Sequence, residues 1–348
     1  MTLELTIVVP AFNEAHRLTD GMKRLDAAVD AGAVDLERTE VVVVDDGSTD
    51  ETASTARTLL APFPHHRVVR NPVNRGKGEA VRLGVALARG SLTAYMDADM
   101  AIDPRGIPEL VGGLGAHDLV IGSRALPDSM VDSTYAMRSV MGRVFNRLVT
   151  TGTGLGLQDT QCGFKAFRTP VARLLFHLVR IDRFAFDVEI LARARQLGLR
   201  IGEVPVHWRH VAGSTVHPLH DSVTMLSDAF RSRTGLLATP PVPCIVIGPG
   251  DRSRSDHGSG VDPDLVPRVG ATAASSLDGA PVPVITTGDG VLVMLPLVPP
   301  ADVALVFSAL RAEFGSSTVT RRAMGIDALT ALGPLHGRLD PPRPAPAH

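Results

Sequence analysis

The chain has 348 residues, more than one average domain needs, and its charges nearly cancel, with 35 lysines and arginines against 37 aspartates and glutamates. This balance argues against a protein that binds nucleic acid through a basic surface. The only cysteines, Cys162 and Cys244, exclude a disulfide framework and favour a reducing compartment such as the cytoplasm. The first ten residues lack the features of a signal peptide, and prolines break the longest apolar region, 291–310. We therefore expect no membrane-spanning helix, and any contact with a membrane should be peripheral.

The first half of the sequence alternates short apolar, β-branched runs with helical patterns, which is typical of a mainly parallel sheet flanked by helices. Strands are predicted at Leu5–Val9, Glu40–Val44, Arg67–Arg70, Leu92–Met96 and Asp118–Gly122. Helices are predicted between them at Arg17–Asp30, Asp50–Leu60, Gly78–Ala88 and Gly106–Leu114. Ser48 followed by Glu51 fits a capping box at the start of the second helix.

The second half of the sequence is less regular. Further helices are predicted at Ala136–Thr150, Pro170–Phe176, Phe186–Leu197 and Ser222–Arg231, with a late strand at Ile201–Val206. We expect one α/β domain over residues 1–238, followed by a mobile linker over 239–280 that is rich in Pro, Gly, Ser and Asp. Residues 281–332 are predicted to form a small α+β module, with a hairpin over Pro281–Leu295 and a helix over Asp302–Phe314, before a disordered tail over 333–348.

Charged and polar residues follow the first three predicted strands at the point where each strand ends. Pro10–Glu14 comes after the first strand, and Asp45–Asp46 ends the second. After the third strand, Asn74–Glu79 places Arg75 and Lys77 among glycines that let an anion approach a helix N-terminus. Because the carboxyl ends of parallel strands meet at one edge, where open α/β sheets bind ligands, these segments are expected to lie together.

The fourth predicted strand ends in two carboxylates that are one residue apart, Asp97 and Asp99. Side chains at positions i and i+2 of a strand point to the same side, so these two can converge. Paired carboxylates suit a hard divalent cation, which in turn suits a diphosphate. Each motif alone also fits an ordinary polar turn, but the four in order predict a crevice for a nucleotide diphosphate with a metal.

These motifs resemble those of the family 2 glycosyltransferases, which have a GT-A fold. Three later segments narrow the resemblance: Gly122–Arg124, Asp159–Lys165 and Arg183–Glu189. Together with Val206–Trp208, they are similar to the dolichyl-phosphate β-glucosyltransferase branch, and the resemblance extends over roughly residues 3–235. It implies an α/β, GT-A domain with a mainly parallel sheet flanked by helices, to which the C-terminal α+β module is added.

The resemblance also implies roles for single residues. The nucleoside would be held by Pro10, Ala11, Glu14 and Asp46, and Lys77 would lie near the base or the diphosphate. Asp97 would support the ribose or the donor sugar, and Asp99 would bind Mg²⁺ or Mn²⁺. Arg124 and Arg138 match arginines that grip the acceptor phosphate, although Arg138 also fits a purely structural role on its helix.

Two points within this resemblance stay open at the level of sequence. Asp187 and Glu189 do not face the same way on a helix, so a catalytic role for Asp187 and a structural salt bridge, with Lys165 as the partner, are equally compatible. In the related mannose synthases a glutamine two residues after the second aspartate helps to bind the metal. Ala101 stands there in this chain and leaves fewer protein ligands.

The implied activity is a metal-dependent, inverting transfer of a sugar, with UDP-glucose as donor and a polyprenyl or dolichyl phosphate as acceptor. Such an enzyme would be cytoplasmic, with peripheral contact at the inner face of the plasma membrane, and would need no nucleic acid. Two alternatives remain: a glycosyltransferase of the same fold acting on a soluble acceptor such as a specialised metabolite, and a nucleotide-sugar-binding protein without catalysis.

Overall fold

A seven-stranded sheet forms the centre of the first domain, with strand order β3-β2-β1-β4-β7-β5-β8. The computed structural model describes residues 3–132, 155–183, 185–211, 239–248, 265–277, 282–287, 290–315, 319–333, 335 and 339. The strands of this sheet are β1 Leu5–Ala11, β2 Thr39–Asp45, β3 His66–Arg70, β4 Leu92–Met96, β5 Leu119–Ser123, β7 Phe164–Arg168 and β8 Ile201–Pro205. A two-stranded parallel ribbon lies beside them, formed by β6 Met130–Val131 and β9 His207–Trp208.

Six of these seven strands were predicted from the sequence, and the parallel pairing of β1 with β2 and β4 confirms the α/β class. The sequence prediction missed β7, which pairs antiparallel with both β4 and β5. This strand contains Lys165, whose side chain is fully buried, and a lysine inside an apolar run hides the pattern of a core strand. The predicted helices Ala136–Thr150 and Ser222–Arg231 lie outside the described residues.

Helices cover both faces of the sheet. Those of the first domain are α1 Ala15–Asp30, α2 Thr52–Leu60, α3 Lys77–Leu87, α4 Ile107–Gly112, α5 Thr169–Leu178 and α6 Phe186–Gln196. Neighbouring residues of β1 point to opposite faces, so Ile7 packs in one core with Leu18 of α1, and Val8 packs in the other with Val85 of α3. Burial on both faces explains why the central strands are nearly continuous apolar runs rather than alternating ones.

The C-terminal residues form a second sheet, antiparallel, in the order β11-β12-β10-β13. Its strands are β10 Val242–Ile247, β11 Val284–Thr287, β12 Gly290–Met294 and β13 Val319–Met324, and its helices are α7 Leu265–Ser275, α8 Pro300–Phe314 and α9 Ile326–Thr330. The expected hairpin is confirmed by the pairing of β11 with β12. The linker prediction for 239–280 is wrong where β10 and α7 form, because the short apolar run of β10 is flanked by prolines and glycines that dominate the composition.

The second sheet packs directly against the first domain. Cys244 and Met294 belong to the same core as Leu174 of α5. His177, also in α5, joins the two parts through both ring nitrogens: Nε2 lies 3.1 Å from the carbonyl oxygen of Pro241, and Nδ1 lies 3.2 Å from the amide nitrogen of Leu297. The predicted α+β module therefore shares a hydrophobic core with the α/β domain.

Close packing of α3 on the sheet gives a test of this core. A Cβ atom at Gly84 would lie 2.2 Å from Val8 Cγ1, so Gly84→Ala must push the helix away from β1. Overpacking of this kind is expected to reduce the free energy of unfolding by about 1–3 kcal/mol, measured by urea denaturation. Gly112→Ala is the matched control because a Cβ at that position would have no neighbouring atom within 4 Å. Equal stability of the two variants would show that α3 does not lie as close as described.

Candidate active site

The carboxyl ends of β1, β2 and β4 open into one cavity of about 380 Å³. All the residues expected to contact the donor line it, as does Asp99. The lining residues are Pro10, Ala11, Phe12, Glu14, Arg17, Asp46, Asn74, Gly76, Lys77, Ala80, Asp97, Ala98, Asp99 and Arg183. The four sequence motifs that follow the strands thus lie around a single space.

The loops after β1 and β2 are joined by hydrogen bonds. The amide of Asn13 donates to Ser48 Oγ at 2.9 Å, and the amide of Thr49 donates to Asn13 Oδ1 at 2.9 Å. Ser48 therefore binds the neighbouring loop and does not form the predicted capping box. Instead, the Asp50 carboxylate accepts the amide of Thr52 at the start of α2. These bonds fix the first two loops relative to each other.

Asp46 holds the third loop. Its carboxylate accepts hydrogen bonds from Asn71 Nδ2 at 2.8 Å, from the amide of Arg75 at 3.1 Å and from the amide of Gly76 at 2.6 Å. Gly76 has φ of +108°, and a Cβ there would lie 2.5 Å from the carbonyl oxygen of Asp182, so only glycine fits this turn. The turn leads directly into α3, where Lys77 is the first residue.

Lys77 and Asp97 form an ion pair inside the cavity, with Lys77 Nζ 2.6 Å from Asp97 Oδ1. Burial alone would lower the pKa of Lys77, but Asp97 and Asp187 outweigh burial and keep that pKa above its ordinary value. The other side of the Asp97 carboxylate faces Gly163, where a Cβ would lie 2.3 Å from Oδ2. Lys77 is thus a fixed positive charge between the sheet edge and the first turn of α3.

Glu14, Arg17 and Asp99 form a second charged group in the lining of the same cavity. Arg17 Nη2 donates to Glu14 Oε1, and Arg17 Nη1 lies 3.6 Å from Asp99 Oδ2. Burial raises the pKa of Glu14 to about 7; Arg17 opposes this shift, and Asp99 and Asp97 add to it. Burial and Asp97 likewise raise the pKa of Asp99, so this part of the site favours additional positive charge.

The carboxylates of Glu14 and Asp99 are suitable ligands for Mg²⁺ or Mn²⁺. Glu14 Oε2 is buried without a hydrogen-bond partner among the described residues, and the Asp99 carboxylate accepts only the amide of Ala101 in addition to its contact with Arg17. Oxygen donors of this kind match both ions. Within the described part of the chain, no three His, Cys, Asp or Glu side chains are grouped to hold a metal.

A smaller cavity, of about 60 Å³, lies on the far side of Asp97. Its lining includes Arg124, Gln161 and Trp208, together with residues at the end of β4 and in the loop that follows this strand. Arg124 forms a two-pronged ion pair with Asp159, at 2.7 Å from Nε and 3.0 Å from Nη2. Burial would raise the pKa of Asp159, but Arg124 outweighs burial and holds it low. Arg138, the other predicted phosphate-binding arginine, lies outside the described residues.

Asp187 lines neither cavity. Its carboxylate accepts hydrogen bonds from the Tyr95 hydroxyl and from Lys165 Nζ, the latter at 2.6 Å, and Lys165 Nζ also donates to the carbonyl oxygen of Cys162 at 2.7 Å. Glu189 accepts the amides of residues 180 and 181 and a hydrogen bond from Arg193. The geometry favours a supporting role for both acids: Asp187 lies next to the Lys77–Asp97 pair, and Glu189, in the first turn of α6, binds the segment that precedes this helix.

Comparisons with known proteins agree with this geometry. Residues 6–176 match the family described as glycosyl transferase family 2. Over 243 residues the chain is 36% identical to the dolichyl-phosphate beta-glucosyltransferase of Dictyostelium discoideum, covering 66% of this chain and 73% of that protein. The chain belongs to glycosyltransferase family 2. A dolichyl-phosphate beta-glucosyltransferase of Drosophila melanogaster is also 36% identical, over 245 residues that cover 66% of this chain and 74% of that protein.

Solved structures confirm the GT-A fold of the glycosyltransferase. Glucosyl-3-phosphoglycerate synthase from Mycobacterium tuberculosis, in complex with Mn²⁺ and uridine-diphosphate-glucose, superposes with a TM-score of 0.51. The match covers 69% of this chain and 83% of that one, at 23% sequence identity. In the described residues of the glycosyltransferase, no helix is both long and apolar enough to cross a bilayer.

Three residues of the site were not assigned from the sequence of the glycosyltransferase. Arg17 lies three positions after Glu14 in the first turn of α1, a spacing at which helical side chains meet. Asp159 stands in one of the motifs that carry the family resemblance, but its pairing with Arg124 joins residues 35 positions apart. Arg183 begins another of these motifs, in the loop before α6, and lines the larger cavity. Only the Glu14–Arg17 spacing was a local signal that could have been used.

The raised pKa of Glu14 predicts a dependence of stability on pH. An acid whose pKa is higher in the native than in the unfolded chain contributes stability at low pH and loses it as the pH rises through the native pKa. Glu14→Gln should therefore gain thermal stability relative to the wild-type glycosyltransferase as the pH is raised from about 5 to about 8. The exposed Glu37 provides a matched control, Glu37→Gln. A stability difference between Glu14→Gln and wild type that stays constant over this range would contradict the environment described for Glu14.

Proposed function

We propose that the glycosyltransferase transfers glucose from UDP-glucose to the phosphate of a polyprenyl lipid. The observation that carries the proposal is the pair of cavities that share Asp97, the larger lined by Lys77 and Asp99 and the smaller by Arg124. Two substrates bound on either side of Asp97 would meet at this residue. The sugar and the acceptor are inferred from the names of the relatives, which are dolichyl-phosphate beta-glucosyltransferases, and UDP-glucose is inferred from the ligand of the mycobacterial neighbour.

In this proposal, the larger cavity binds the donor. Pro10, Ala11 and Glu14 would contact the nucleoside, and Asp46 would shape its pocket by holding the turn at Gly76. Lys77 would lie beside the diphosphate, since its pKa keeps it protonated at neutral pH. A Mg²⁺ or Mn²⁺ ion at Asp99, with Glu14 nearby, would supply further positive charge to the departing diphosphate. The mycobacterial neighbour holds Mn²⁺ and UDP-glucose in a fold of the same kind.

The acceptor needs orientation more than activation. A phosphate monoester has a second pKa near about 6, so it is mainly a dianion at neutral pH and already a nucleophile. Arg124 offers a guanidinium whose position is fixed by Asp159, and charge-assisted hydrogen bonds from it would hold the phosphate close to the sugar. No general base is required, which agrees with Asp187 being engaged away from both cavities.

The reaction that follows is one displacement at the anomeric carbon. An oxygen of the acceptor phosphate forms a bond to C1 of glucose on the face opposite to the diphosphate. The bond between C1 and the donor diphosphate breaks, and its electron pair leaves with UDP. The configuration at C1 inverts, giving a β-linked glucosyl phosphate. A lipid acceptor also implies peripheral contact with the membrane that carries it, at its cytoplasmic face.

Transfer of radiolabelled glucose tests the proposal. Purified protein is incubated with labelled UDP-glucose, Mn²⁺, vesicles containing a polyprenyl phosphate and a cell extract that supplies soluble acceptors, and the products are extracted into organic solvent. Label in the organic phase, lost when the polyprenyl phosphate is omitted, is the expected result. Label that stays in a water-soluble glucoside would instead indicate a soluble acceptor. UDP-glucose binding without any transfer would indicate a binding protein.

Asp99→Asn tests the part of the proposal that concerns the metal. Loss of one carboxylate from the candidate cation site should lower turnover about a hundredfold or more. Asp103→Asn is a suitable control, because Asp103 lies four residues further along the chain, pairs with Arg105 and Arg209, and does not line the larger cavity. Near-normal turnover of Asp99→Asn, or of the wild type in excess chelator, would rule out metal assistance at Asp99.

A further inference from the structure

Arg17 occupies a position in the donor cavity to which the proposed function assigns no role. Its side chain is 18% exposed and lies between two carboxylates, bonded to Glu14 and 3.6 Å from Asp99. The contact with Asp99 is long for an ion pair. Arg17 lies in the first turn of α1, and its side chain lines the donor cavity.

The charges explain why an arginine lies at this position. Four acids line the same space: Glu14, Asp46, Asp97 and Asp99. Hydrogen bonds from Asn71 and from the amide of Gly76 satisfy Asp46, and Lys77 pairs with Asp97, which leaves Glu14 and Asp99. Arg17 is the nearest described cation to the other two. A divalent cation that binds Asp99 would meet the positive charge of Arg17 close by, and the two would repel each other. Metal and Arg17 therefore compete for the same carboxylate.

A diphosphate would remove this competition. It brings negative charge to the cavity, and its oxygens accept forked hydrogen bonds from a guanidinium. Arg17 can turn from Asp99 towards such a group while remaining in the cavity, since the rotatable bonds of its side chain allow the guanidinium to move by several ångströms. The same side chain would then neutralise Asp99 before the donor binds and the diphosphate afterwards.

From this we propose that Arg17 is a donor-binding residue with two alternative partners. In the free protein its guanidinium pairs with Asp99. When a divalent cation binds Asp99, the Arg17 side chain rotates and its guanidinium forms hydrogen bonds with the donor diphosphate. The proposal rests on the proposed function, because it needs a diphosphate donor in the larger cavity. With this role for Arg17, the free protein should bind the metal weakly, and the protein that also binds a nucleotide should bind the metal strongly. Arg17 thereby couples the two binding events.

Isothermal titration calorimetry with the full chain tests the proposal, using Mn²⁺ alone and UDP in the presence of saturating Mn²⁺ as probes. Arg17→Gln should bind Mn²⁺ alone roughly tenfold more tightly than wild type, and UDP roughly tenfold more weakly, since one cation near the surface is lost. Arg17→Lys keeps the charge and should lie between wild type and Arg17→Gln in both affinities. This opposite change in two affinities is not expected from a general loss of structure.

Lys23→Gln is the matched control, because Lys23 forms an i,i+3 pair with Asp20 on the exposed side of the same helix. It should leave both affinities unchanged. Unchanged Mn²⁺ affinity in Arg17→Gln, or equal UDP affinity in Arg17→Gln and wild type, would overturn the role proposed for Arg17. Either result would leave the proposed function intact. Absence of UDP binding in wild type would overturn the proposed function and, with it, the diphosphate role of Arg17.

Discussion

The ion pair between Lys77 and Asp97, at 2.6 Å, is the contact on which the rest of the site depends. Asp97 is the first residue after β4, and Lys77 is the first residue of α3. The ion pair therefore fixes a helix to the edge of the sheet. The same carboxylate is in contact with Gly163 on its other side and borders both cavities. Any shift of Asp97 would therefore alter both cavities together.

A buried polar network supports this pair from below. Asp187 binds Tyr95 and Lys165, and Lys165 also holds the carbonyl of Cys162, which precedes Gly163. The positive and negative groups alternate from Lys165 through Asp187 to Lys77 and Asp97. Burying charges costs solvation energy, so such a network is weak evidence for added stability and better understood as a device that fixes positions. It explains how the segment containing Gly163 can lie directly against a carboxylate.

Much of the fold could be predicted from the sequence because parallel sheets buried on both faces leave continuous apolar runs. The ends of β1, β2 and β4 could be recognised in the same way, since each run stops at a polar or charged motif. Strand β7 escaped prediction because Lys165 interrupts its apolar pattern, and β10 because prolines and glycines surround it. In both cases the burial is explained by tertiary partners, the Asp187 network for β7 and the α5 helix for β10.

The residues of the site could likewise be predicted from the sequence only where a local motif marked them. Local motifs placed Glu14, Lys77 and Asp99 near one another, because strand ends in a parallel sheet must converge. Pairings between distant segments, such as Arg124 with Asp159, had no counterpart in spacing or composition. The position of Asp187 beneath the cavity also depends on how α6 packs on β4 and β7, which no pattern within α6 specifies. The sequence therefore predicted the lining of the larger cavity better than the contacts around the smaller one.

Calorimetric binding of UDP with Mn²⁺ to wild type, Lys77→Met, Asp97→Asn and the double variant tests the central claim most directly. If the ion pair acts as one unit that shapes the donor cavity, the losses in the single variants should not add, with a coupling energy of about 1 kcal/mol or more. Strictly additive losses, or UDP affinity that none of the variants changes, would contradict the account.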